Sequence, residues 1–157
     1  MVQGAKRSTP LRISAVDIQA RIVGHLAETS LTLTFHNPNT RAVEGDLYFP
    51  LPPGAVVSGY ALDVKGVMVD GVVVTREKAR KVFEAEVRKG IDPGLVEWTR
   101  GSNFKTRIFP IPANGTRTVR VSYVADVDSS GAEAIYRLPL AFRAPVAQLS
   151  IRVEVVR

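Results

Sequence analysis

Much of the chain consists of short stretches in which apolar and polar residues alternate, the pattern of β-strands with one buried face. The stretch "AETSLTLTF" places Leu31, Leu33 and Phe35 on one face, and the final stretch "QLSIRVEVVR" alternates in the same way. Near the start of the chain the alternation changes phase at Ser14 and Ala15, which predicts a β-bulge or a break in the strand there. Clean alternation favours antiparallel sheets with one face in water.

Turn signals separate these stretches at regular intervals. They include "HNPNT", "PLPPG" and "ANG", together with the dipeptides Lys-Gly at 65–66 and Asp-Gly at 70–71. The two dipeptides predict a tight β-meander over residues 56–74. About ten short strands with such turns predict a mainly β fold, an antiparallel β-sandwich-like domain or a barrel.

One stretch has a helical period instead. The segment "TREKARKVFEAEVRKG" predicts an inserted α-helix over about 76–89, with Thr75 as its N-cap and Gly90 just after its end. Its apolar residues share one helical face: Ala79, Val82, Phe83 and Val87. We expect Phe83 to insert into the core, so that the helix covers a sheet face or an open end.

The charges of this segment help to distinguish a structural helix from one that binds a polyanion. Three opposite-charge pairs fall at i,i+4: Glu77 with Lys81, Arg80 with Glu84, and Glu84 with Arg88. Because many cations already have a partner within the helix, a structural role is favoured over polyanion binding. Glu86 lies on the apolar side and needs a cationic or backbone partner if it is buried.

The composition bounds the class of protein. With 157 residues, 45% hydrophobic and 23% charged, the chain suits one domain with its own core. We expect residues 1–10 to form an N-terminal linker or arm and residues 11–157 a single domain. Since the chain stops inside a strand pattern, we expect a fragment of a longer protein. No stretch is apolar enough for a transmembrane segment, and the start lacks the apolar region of a signal peptide.

Little in the sequence suggests catalysis. The absence of cysteine excludes disulfides and thiol chemistry, and no nucleophile elbow or phosphate loop occurs. His25 and His36 lie on neighbouring predicted strands and can approach each other, but no metal-ligand spacing accompanies them. We therefore predict a non-enzymatic protein without cofactor or metal, although a pair of catalytic carboxylates stays open from sequence alone.

The net charge of +6 leaves one alternative open. The stretch "VEWTRGSNFKTRIF" mixes aromatic residues with Arg100, Lys105 and Arg107, as β-surfaces that hold single-stranded nucleic acid do. Strand alternation alone accounts for this mixture, and the basic residues are spread along the chain. The alternative hypothesis is therefore a basic all-β domain that binds a polyanion or nucleic acid.

The order of these features resembles the vault protein inter-alpha-trypsin (VIT) domain family, over roughly residues 11–127. The resemblance includes an Asn-Pro turn, a "FPLP-G" stretch, a helix with a central aromatic residue and a tail containing Asn-Phe and a late Tyr. The matching positions are Asn37, Pro38, Phe49, Pro50, Leu51, Pro52, Gly54, Phe83, Gly90, Glu97, Asn103, Phe104, Ile111, Gly115 and Tyr123. Two departures are "IPANG", where the family usually has Pro-Gly, and Trp98 directly after Glu97.

This resemblance implies a β-sandwich-like domain with one helix that acts in protein association and scaffolding, not in catalysis. Such a domain usually precedes a von Willebrand type A domain, which would hold the metal site and is the expected protein partner. No catalytic residues carry over from the family. The resemblance favours a secreted or cell-envelope parent protein from a bacterium.

Overall fold

The computed structural model of the chain describes residues 9–75, 96–100, 103–140, 142 and 145–157. Twelve strands are present in this part of the chain: β1 (Arg12–Val23), β2 (Leu26–His36), β3 (Val43–Pro50), β4 (Val56–Val64), β5 (Val67–Asp70), β6 (Val72–Thr75), β7 (Val96–Arg100), β8 (Asn103–Ile111), β9 (Thr116–Asp126), β10 (Asp128–Ser130), β11 (Glu133–Ile135) and β12 (Gln148–Val156). The mainly β prediction is confirmed. The predicted helix over 76–89 lies outside the described residues.

Two larger sheets and one hairpin make up the fold. The six-stranded sheet has the order β12-β1-β2-β9-β4-β5, the four-stranded sheet has the order β3-β8-β7-β6, and β10 pairs with β11. Neither larger sheet closes into a barrel. Two pairs, β1 with β12 and β6 with β7, are parallel, which differs from the antiparallel expectation. Alternation within one strand cannot reveal this, because the direction of pairing depends on a distant partner.

The predicted local irregularities can be compared with the strand registers. The β1–β2 ladder shifts register between Ile13 and Ala15 within a continuous β1, which confirms the predicted irregularity at this point. Lys65 and Gly66 both have positive φ, 52° and 82°, and form the tight turn between β4 and β5. The second predicted turn, at 70–71, is not a hairpin. The Gly71 amide donates to the carbonyl of Tyr60 at 2.8 Å, and β6 then pairs with β7 in the other sheet.

A single hydrophobic core lies between the two larger sheets. The six-stranded sheet contributes alternate residues of β1, β2, β4 and β9, and the four-stranded sheet contributes Phe49, Phe104 and Ile111. The rings of Tyr60 and Phe104 meet across the sheets with centroids 5.8 Å apart. Because the two inner faces share this core, the two sheets pack against each other.

Candidate interaction surface

Asn37, the first residue of the Asn-Pro turn, is a buried hydrogen-bonding centre. Its side chain has no exposed surface. Its Nδ2 lies 2.8, 3.1 and 3.1 Å from the carbonyl oxygens of Arg41, Ile111 and Pro112. Its Oδ1 accepts hydrogen bonds from the backbone and side-chain nitrogens of Asn39 at 3.0 and 2.9 Å. The buried amide group of Asn37 therefore finds its hydrogen-bond partners in these turn carbonyls and in Asn39.

Gly115 forms part of the same turn region, where a side chain would come too close to Pro112. Its carbonyl accepts a hydrogen bond from the Asn37 amide at 2.9 Å, and its own amide donates to the carbonyl of Pro112 at 2.9 Å. A Cβ added to Gly115 would lie 3.1 Å from both the carbonyl oxygen and Cβ of Pro112. The preceding Asn114 has a φ of 53°. The loop 112–115 therefore favours Asn-Gly for its turn geometry.

The proline-rich stretch forms a second turn. Pro38 and Pro52 are half-buried, whereas Pro50 is exposed at the end of β3. The Ala55 amide donates to the carbonyl of Pro52 at 3.1 Å, and Gly54 has a φ of 75°. These residues shape a connection between the two sheets.

The described aromatic residues of the family pattern are core residues. Phe49 and Phe104 are buried, and Tyr123 is 1% exposed. Burial raises the pKa of Tyr123 to about 12, with a contribution that lowers it from a hydrogen bond with Thr29. Thr29, also fully buried, is hydrogen-bonded to the hydroxyl of Tyr136 at 2.7 Å. These polar groups stabilise packing between β2, β9 and the chain after β11.

Two further residues of the family pattern lie on strands of the four-stranded sheet. Glu97 lies in β7, with Val73 as its register partner, and Asn103 lies in β8 opposite Arg100. Phe83, Glu86 and Gly90 lie outside the described residues, so the expected partner of Glu86 stays a prediction.

The two histidines are far apart. His25 lies in the turn before β2 and His36 is the last residue of that strand, about 11 residues or roughly 35 Å further along. The prediction that they can approach each other is therefore wrong, because they sit at opposite ends of one extended strand. Over the described residues, no group of three or more His, Asp or Glu is arranged to hold a metal ion.

The outer face of the six-stranded sheet is polar and carries both signs of charge. Its strand registers place Arg21 between Glu154 and Glu28, and Thr32 between Asp17 and Arg120. Two shallow grooves of about 320 and 400 Å³ lie on this face.

Several arginines in the described part of the chain contact carboxylates: Arg117 with Asp63 at 3.4 Å, Arg120 with Asp70 at 3.8 Å, and Arg137 with Asp128. A polyanion requires a surface of one sign. The mixed charges of the outer face therefore give the polyanion alternative no such surface there.

The inner face of β12 differs from the rest of the inner sheet. We call Leu149, Ile151, Val153 and Val155 the β12 apolar row; these residues are 51%, 46%, 49% and 62% exposed. In the parallel ladder, Leu149, Ile151 and Val153 are the register partners of Val16, Ile18 and Ala20, which are buried. The sheet therefore extends one strand beyond the part of the core that is covered.

The sequence identifies the residues of this row but not how far they are exposed. The alternation of "QLSIRVEVVR" shows which four residues share a face, and buried strands share the same pattern. Only the sheet order shows that β12 is an edge strand, because coverage depends on the opposite layer. Within the described ranges, no helix has the length and apolar character needed to cross a membrane.

Comparisons with known proteins identify one domain family. The model of the family described as "Vault protein inter-alpha-trypsin domain" matches residues 13–123. A protein mono-ADP-ribosyltransferase PARP4 of Mus musculus is 21% identical over 132 residues, which is 84% of this chain and 7% of that protein.

Two further relatives have similar identities. A von Willebrand factor A domain-containing protein of Dictyostelium discoideum is 28% identical over 59% of this chain and 10% of its own length. The inter-alpha-trypsin inhibitor heavy chain H3 of Homo sapiens is 26% identical over 75% of this chain and 14% of its own length. The chain thus spans a small fraction of each relative, 7–14% of its length.

Proposed function

The chain belongs to the vault protein inter-alpha-trypsin domain family, and on that premise we propose that it is a non-catalytic protein–protein interaction module. Its partner in this proposal is a von Willebrand type A domain, which docks on the β12 apolar row. The module supports assembly of the protein that contains it and carries out no chemical step.

The exposed β12 apolar row is the observation that carries this proposal. Four aliphatic side chains, each about half exposed, form a continuous series along one strand face. Completing their burial is worth about 1 kcal/mol for each side chain, so the row offers roughly 4 kcal/mol before the costs of association. A contiguous apolar surface with a polar border is typical of a protein interface.

The relatives support the choice of partner. The Dictyostelium relative is described as a von Willebrand factor A domain-containing protein, and the matching region occupies 10% of it. A second protein of this description from the same organism is 27% identical to the chain over 93 residues. In each of these relatives, the region similar to this chain belongs to a protein described as containing a von Willebrand factor A domain, which supports this choice of partner.

The family-pattern residues serve folding in this proposal, and the interface lies elsewhere. Asn37, Phe49, Phe104 and Tyr123 are buried, so a partner cannot reach their side chains without unfolding the domain. The β12 apolar row belongs to the accessible surface and offers the apolar contact that a partner domain needs.

The experiment measures binding in trans by isothermal titration calorimetry. The probe is the von Willebrand type A domain of the Dictyostelium relative, used at high concentration because separated domains lose the effective concentration of a shared chain. We expect saturable binding with a negative heat-capacity change, since apolar surface is buried. Ile151→Asp should weaken binding by about tenfold or more, because a carboxylate replaces an apolar contact.

Ser150→Asp is the matched control. It adds the same carboxylate to the neighbouring position on the opposite face of β12, where the residue is already exposed. Binding of this variant should equal that of the unmodified chain. No binding by the unmodified chain, or equal losses in both variants, would contradict the proposed docking surface.

A further inference from the structure

The edge strands of the two larger sheets differ in how they are protected. β5 and β6 are four residues long, and β3 has a register shift between Val43 and Gly45 and ends at Pro50. Short length, bulges and proline are the usual means of preventing an edge strand from pairing with another chain. β12 has nine residues and contains no Pro, Gly or Lys. Over the described residues it bonds to β1 on one side alone.

We propose that the free edge of β12 pairs antiparallel with β12 of a second copy of this chain. The two-fold axis passes between the two Val153 residues, perpendicular to the sheet. The dimer joins two six-stranded sheets into one continuous sheet, with identical surfaces in contact as a closed two-fold interface requires. The main-chain amides and carbonyls on the outer edge of β12 provide the hydrogen bonds.

The residues of β12 complement themselves in this register. Arg152 of each copy lies directly opposite Glu154 of the other, so two pairs of opposite charges form on the polar face. On the inner face, Ile151 lies opposite Val155 and the two Val153 side chains meet. Opposite charges and aliphatic side chains directly across an antiparallel pair both stabilise it.

Neighbouring registers lack this charge match. A two-fold axis perpendicular to the sheet keeps the apolar faces together, so the pairing can shift only in steps that preserve the alternation. An axis at Arg152 places the two arginines opposite each other, and an axis at Glu154 places the two glutamates opposite each other. An axis at Ile151 pairs Arg152 with Ser150 and forms no ion pair. The register centred on Val153 is therefore the favoured one.

This inference goes beyond the proposed function and depends on the main-chain edge of β12, although Ile151, Val153 and Val155 of the β12 apolar row also meet their counterparts across that edge. The von Willebrand type A domain would contact the β12 apolar row on the sheet face, whereas the second copy contacts the main-chain edge within the sheet plane. Edge pairing brings the two apolar rows side by side and leaves the face above them open. Failure of either proposal therefore leaves the other standing.

Charge exchange between Arg152 and Glu154 provides the test, measured by sedimentation velocity over a wide range of protein concentration. The unmodified chain should show a concentration-dependent dimer. Arg152→Glu and Glu154→Arg should each weaken it by about tenfold or more, because each places like charges opposite at two positions. The double variant Arg152→Glu/Glu154→Arg should restore the dimer.

An equimolar mixture of the two single variants gives a sharper result. The mixture should form a heterodimer, since one strand then carries two glutamates and the other two arginines at facing positions. Ser150→Asp is the control, because Ser150 faces Val156 of the second copy in the proposed pairing and neither Arg152–Glu154 pair is changed. Circular dichroism and the midpoint of thermal unfolding of each variant verify that it is folded.

Three outcomes would overturn the inference. They are an unmodified chain that stays monomeric at its highest soluble concentration, a double variant as weak as the folded single variants, or a mixture that forms no heterodimer. The titration with the von Willebrand type A domain is unaffected by these outcomes, so the two proposals fail separately.

Discussion

β1 and β12 are neighbours in the same sheet, in register and with the same alternation, yet their inner faces have opposite surroundings. Val16, Ile18 and Ala20 are 2%, 0% and 3% exposed, whereas their partners in β12 are about half exposed. Residues of β1 belong to the shared hydrophobic core, whereas β12 lies beside β1 at the end of the described sheet. A row of aliphatic side chains therefore contributes to folding or remains available for binding according to what lies above it.

The largest expected effect separates the two rows directly. Ile18→Ala should lower the free energy of unfolding by about 2–5 kcal/mol, because it removes buried methyl groups and leaves a cavity. Ile151→Ala, the register partner, should lower it by about 1 kcal/mol or less, since its side chain is already half in water. Urea unfolding at low protein concentration measures both. Equal losses would show that the β12 apolar row is covered in solution.

The contrast between buried and exposed positions also applies to a polar residue, Asn37. Asn37→Ala should lower the free energy of unfolding by about 1–3 kcal/mol, because it removes the amide donor that faces three turn carbonyls. Asn39→Ala is the control at a half-buried position, where water can replace part of the lost hydrogen bonding. Urea unfolding should show the smaller loss in the control. The reverse order would contradict the central position assigned to Asn37.

Tyr123 has no effect on the pH dependence of stability near neutral pH, and its contribution appears only in alkaline solution. Its pKa is about 12 in the folded chain, against a reference value of 10.0. The unfolded chain loses this proton first, so stability is unchanged by this group below pH 10 and falls as pH rises from about 10 to 12. Thermal unfolding across this window should show a decline that is reduced in Tyr123→Phe. An equal decline in both proteins would assign it to other groups.

Sequence reasoning was most successful where the signal is local. The irregularity near Ser14 and Ala15 and the turn at Lys65 and Gly66 depend on neighbouring residues, and both are confirmed. The turn at 70–71 was misassigned as a hairpin, because Asp-Gly is compatible with tight pairing but cannot specify which strand follows. The approach of His25 and His36 was wrong for a similar reason, since a long β2 holds the two residues apart.

The sequence predicted which residues form the candidate surface but not that they are exposed. The alternation of Leu149, Ile151, Val153 and Val155 identifies the residues that share a face, but buried and exposed rows look alike in sequence. The family pattern indicates an association module, yet its described residues, such as Asn37 and Phe104, are buried and build the fold. The surface proposed for binding lies outside that pattern.

By itself, the sequence determined the mainly β class, the faces of the strands, most turns and membership of the vault protein inter-alpha-trypsin domain family. These properties follow from periodicity, backbone preferences and the order of features along the chain. Only the tertiary structure decided that β12 joins β1 in parallel at the sheet edge, that β6 enters the other sheet, and that the β12 apolar row is uncovered. Strand pairing and coverage depend on residues far apart in the chain, which local alternation does not encode.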